Sequence, residues 1–111
     1  MSLSRLSSQV WQHGKLVAES VPLETLSEEL SNDQTLSWYD LTAPDYEDID
    51  TLADELHLEF HTVEDAEAPG ERPKVMRYPD HLFLTTYTAA IGETGDPNSG
   101  LIVSRVSVWV F

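Results

Sequence analysis

The chain has 111 residues, 41% of them apolar and none of them cysteine, and sets 6 basic against 20 acidic side chains for a net charge of −14. That length suits one small domain with a single core, the missing cysteines exclude disulfides and thiolate metal sites, and no apolar run approaches the roughly 20 residues that cross a bilayer. A surface this acidic repels nucleic acid and anionic lipid, which removes both as partners, and attracts cations.

Val10 to Glu19 reads as strand material bent at His13-Gly14. Leu23, Leu26 and Leu30 recur at helical spacing with Glu24, Glu28 and Glu29 turned outward, and Asn32-Asp33 ends that helix. Leu36 to Leu41 is a short strand containing Trp38 and Tyr39. Thr42-Ala43-Pro44-Asp45 is a helix start in which Thr42 caps, Pro44 sits in the first turn and Asp45 faces back. The helix should run to Leu56 or Leu58, burying Tyr46, Ile49, Leu52, Ala53 and Leu56. Thr62 to Glu67 reads as a second short helix closed by Pro69-Gly70.

Lys74 to Tyr78 and Leu82 to Ile91 form a hairpin pair around Pro79-Asp80, where the proline ring fixes φ. Gly92 to Gly100 is a polar loop, and Leu101 to Phe111 is a strand with large apolar residues on both faces near its end, the pattern of a central, doubly covered strand. The expected order is strand, helix, strand, helix, helix, then three strands. This predicts an α/β fold, with α+β as the alternative: a mixed sheet with helices packed on it, residues 1–111 forming one domain. Trp109 and Phe111 close the sequence on apolar surface that needs a cover, so the chain reads as a soluble piece of a longer protein. Met1-Ser2-Leu3 carries no weight in this reading.

The acidity is also local. From Asp45 to Glu71 there are 11 carboxylates and no Lys or Arg. Such a block raises the local cation concentration and makes like surfaces repel. Within it, Glu64-Asp65 has two readings. As helix-start carboxylates they meet the helix dipole, and Thr62 with Asp65 fits a capping pair. As metal ligands they splay apart, one toward its own chain and one toward a neighbour, and offer the hard oxygens that Mg²⁺ prefers. Two carboxylates are too few for a closed site, so a partner must supply the rest.

His57 and His61 stand four apart and could share a helix face for zinc, but Leu58 occupies the place where a metalloprotease motif needs Glu. Two partly exposed histidines at a helix junction is the simpler reading. Arg72-Pro73-Lys74 reads as a loop entering a strand, its charges paired with nearby acids. No Ser lies in a nucleophile elbow, and the five glycines build no phosphate-binding loop. No catalytic residue is assigned.

One pattern is more specific. Glu64-Asp65 is followed by five residues, then Glu71-Arg72-Pro73-Lys74-Val75, then Tyr78 and the apolar Leu82-Phe83-Leu84. This resembles the start of the cytosolic domain of CorA-type transporters of magnesium, cobalt and nickel, which show Glu-Asp, five residues and Gln-Arg-Pro-Lys before a hairpin strand. The resemblance is strongest from Trp38 to Leu84, and Trp38-Tyr39-Asp40-Leu41 resembles the family's opening strand. Leu56 to Asp65 aligns without gaps to the usual Phe-Gly-Ile-His-Pro-Leu-x-Leu-Glu-Asp, with His57 for Gly, Glu59 for His and Phe60 for Pro, and Glu71 stands for Gln. These departures leave the acidic pair intact and leave room for a divergent branch, zinc-handling relatives included.

The resemblance implies a cytosolic regulatory domain of a pentameric divalent-cation channel, with the sheet between helices in a funnel wall on the cytoplasmic side of the cell membrane. The long helix, the two membrane helices and their Gly-Met-Asn signature would lie beyond this sequence. It implies that Glu64 and Asp65 contribute weak regulatory cation sites between neighbouring domains, occupied by magnesium, with cobalt, nickel or zinc as further ions. Bound ions would hold the ring closed, and their loss would restore repulsion and loosen it, a feedback by differential binding to two conformations. Two other classes stay open from the residues alone. One is a stand-alone acidic module recognising a basic protein. The other is a metal-assisted hydrolase resting on His57, His61 and nearby acids.

Overall fold

A computed structural model describes residues 5–58, 63–64, 70, 72–92 and 100–111. The chain divides into two compact units, Met1–Val63 and Glu64–Phe111.

The first unit starts with a hairpin. Strand β1 (Arg5–Gln12) pairs antiparallel with β2 (Lys15–Glu19) across His13-Gly14. His13 and Gly14 have φ of 52° and 78°, and a two-residue hairpin turn of this hand needs positive φ at both central positions. The expected bend is therefore a full reversal, and one expected strand becomes two. Val17 is the extra residue where the register shifts between Val10 and Trp11, a bulge that deepens the local twist. A 3-10 turn (Leu23–Thr25) leads into α1 (Leu26–Ser31), whose end is closed by Asn32 N–H donating to the Glu29 carbonyl. Strand β3 (Thr35–Thr42) returns on the other side of β1, giving the order β2-β1-β3. Its burial alternates residue by residue, half-buried at odd positions and exposed at even ones, as expected of a sheet covered on one face.

Helix α2 (Tyr46–Leu56) begins later than the sequence suggests. Its cap is Asp45, whose Oδ1 accepts from Asp48 N–H at 2.9 Å, while Asp45 N–H donates to Asp48 Oδ2 at 3.0 Å. This reciprocal box satisfies two end groups of the helix at once. Thr42 is displaced from the capping role because Ala43 takes φ 52°, a left-handed conformation that no helix continues. Pro44 then precedes the cap. The buried stripe holds at Leu52 and Leu56, but Tyr46 is 83% exposed. Helix α1 packs on β3 and on α2, and Val10, Leu23, Leu26, Leu52 and Leu56 are the buried apolar residues among those described in the unit. Ser8, buried beside them, donates to the Val21 carbonyl at 2.8 Å.

The second unit is a three-stranded antiparallel meander. Strand β4 (Lys74–Arg77) pairs with β5 (Leu82–Ile91), and β5 with β6 (Leu101–Val110), in the order β4-β5-β6. The turn between β4 and β5 is the expected Pro79-Asp80, closed by Tyr78 N–H donating to the His81 carbonyl at 2.9 Å. Phe83 is 1% exposed, sits opposite Met76 and Trp109, and meets the Trp109 ring at 4.9 Å, tilted by 55°. Strand β5, not β6, is central in this ladder. Toward the end of β6 Val106, Val108 and Trp109 are half-buried, while Leu101, Ile102, Val103 and Val110 are exposed. The expected combination of strands and helices forms an α/β fold, with its strands in two ladders that are each antiparallel among the described residues.

Candidate cation site

Glu64 lies in a helical turn with Val63, and its side chain is exposed. Asp65, its expected partner, lies outside the described residues, as do Thr62, Glu67 and Glu71. Arg72 and Pro73 are exposed and lead into β4, where Lys74 stands opposite Thr85. Among the described residues, no three His, Asp or Glu side chains gather as a metal ion would require. Glu64 is a carboxylate open to solvent, and a single carboxylate is one oxygen donor where Mg²⁺ takes several.

The other acids of the block fall into distinct roles. Asp45 and Asp48 are engaged in the α2 cap. Glu47, Asp50 and Asp54 are exposed on the same helix. Burial raises the Tyr39 phenol above its ordinary value; the hydrogen bond to Thr25 at 2.8 Å opposes this, and the Glu29, Glu55 and Glu28 carboxylates add to the rise.

His57 closes α2 in the left-handed region, with φ 53° and ψ 45°, and is exposed. Its N–H donates to the Ala53 and Asp54 carbonyls, and Leu58 N–H donates to Ala53 at 3.0 Å. His61 lies outside the described residues. Glycine is the residue that takes this conformation without strain, and His57 ends α2 in it at a cost.

A second His pairing escaped the sequence reading. His81 Nδ1 lies 2.6 Å from Asp80 Oδ1. The imidazole stacks between Tyr78 and Phe111, with ring centroids at 4.8 and 4.7 Å. The hydrogen bond to His81 is the main cause that holds the Asp80 carboxyl below its ordinary value. His81 Nε2 is buried and meets no hydrogen-bond partner among the described residues, so the dyad faces the stack and not an open coordination site. The adjacency Asp80-His81 was readable; the stack with Phe111 depends on the β5-β6 register.

Residues 33–110 match the family model of CorA-like Mg²⁺ transporter proteins. The match spans more than half of the chain, which therefore belongs to this transporter family. No curated protein compared with the chain matches it. Among the described residues no helix is long and apolar enough to cross a membrane.

Proposed function

We propose that this chain is a cytosolic regulatory part of a divalent-cation transporter, one partial domain over residues 1–111, in which Glu64 and Asp65 provide half of a cation site completed by a neighbouring subunit. The family match over residues 33–110 carries the reading. Two further observations support it. Glu64 is exposed, and the block from Asp45 to Glu71 holds 11 carboxylates and no Lys or Arg.

The mechanism follows from charge. Acidic faces of adjacent subunits repel, and the repulsion acts over about 10 Å at moderate ionic strength. A divalent ion held between them converts repulsion into attraction and favours the symmetric closed ring of five. When cytoplasmic Mg²⁺ falls, the ions leave and the ring loosens toward conducting states. The ion shifts the equilibrium by its differential affinity for the two states and by nothing else. Mg²⁺ is the expected regulator, and cobalt, nickel or zinc can use the same oxygens.

The test is Mg²⁺ inhibition of transport in the intact transporter carrying Glu64→Ala, Asp65→Ala or both. The expected result is a higher Mg²⁺ concentration for closure in each single variant and a larger shift in the double. Unchanged inhibition in all three would sink the assignment of these residues.

A further inference from the structure

We draw no further inference here: the strongest candidate, the groove of about 330 Å³ between the 3-10 turn and α2, lined by Leu6, Leu23, Leu41, Glu24, Glu47 and Asp48, is a cluster of acidic residues to which nothing in the structure adds a ligand.

Discussion

Replacing His57 by glycine isolates the cost of ending α2 without the residue that the turn favours. His57 sits at φ 53° and ψ 45° and its side chain is exposed, so truncation removes little packing. An L-residue in the left-handed region costs roughly 1–2 kcal/mol relative to the right-handed one, and glycine escapes that cost. Glycine also enlarges the conformational freedom of the unfolded chain, which opposes the gain by about 0.4–1 kcal/mol. The difference predicts that His57→Gly stabilises the chain by about 0.5–1 kcal/mol. His57→Ala keeps the left-handed strain and gains nothing, so it should be neutral or slightly destabilising. The assay is urea unfolding by far-UV circular dichroism, with the midpoint rising and the slope unchanged for the glycine variant. Equal stability of the glycine and alanine variants, or loss of stability in the glycine variant, would refute the assignment of this position as a strained helix end.

Two further predictions concern the first unit. Asp45→Ala removes the α2 cap and leaves Asp48 N–H without the carboxylate that now accepts it, which should cost about 1 kcal/mol and at most about 2; Asp45→Asn should retain most of that, and equal losses from both variants in urea unfolding would contradict the capping account. Tyr39 has its phenol raised, first by burial and then by Glu29, Glu55 and Glu28, so its contribution to stability is present below the ordinary tyrosine value and lost as pH rises through the raised one. Tyr39→Phe should therefore flatten the alkaline fall in the urea midpoint, and parallel curves for the two chains would argue against it.

The periodic parts of the fold were readable because each has one wet face and one dry face. Leu23 and Leu26 in the first helical segment, Leu52 and Leu56 in α2, and the alternation of β3 all follow from that. Conformation at single residues was not readable from pattern. Left-handed φ at Ala43 moves the α2 cap from Thr42 to Asp45, and left-handed φ at His13 turns a bend into a hairpin. The character of β6 was misread for another reason. An apolar pattern does not give the pairing order, and the ladder places β5 and not β6 in the middle. At the candidate site, the spacing to Arg72-Pro73-Lys74 is what singles out the acidic pair. The structure adds the exposure of Glu64 but does not extend to Asp65.

The carboxylate block is not a uniform field. Asp45 and Asp48 serve folding, since each accepts a backbone N–H at the start of α2. Glu55 bears on the Tyr39 phenol, together with Glu29 and Glu28 from outside the block. Glu47, Asp50, Asp54 and Glu64 are exposed, where a carboxylate adds little to stability and remains free to respond to ions in solution. The two classes separate in their response to neutralisation. Removing a capping acid changes the unfolding free energy with or without divalent ions. Removing an acid that acts through ions changes only the dependence on those ions. Cation regulation by this chain therefore requires that Glu64 fall in the second class, with unfolding unaffected by its removal and Mg²⁺ closure of the intact transporter shifted.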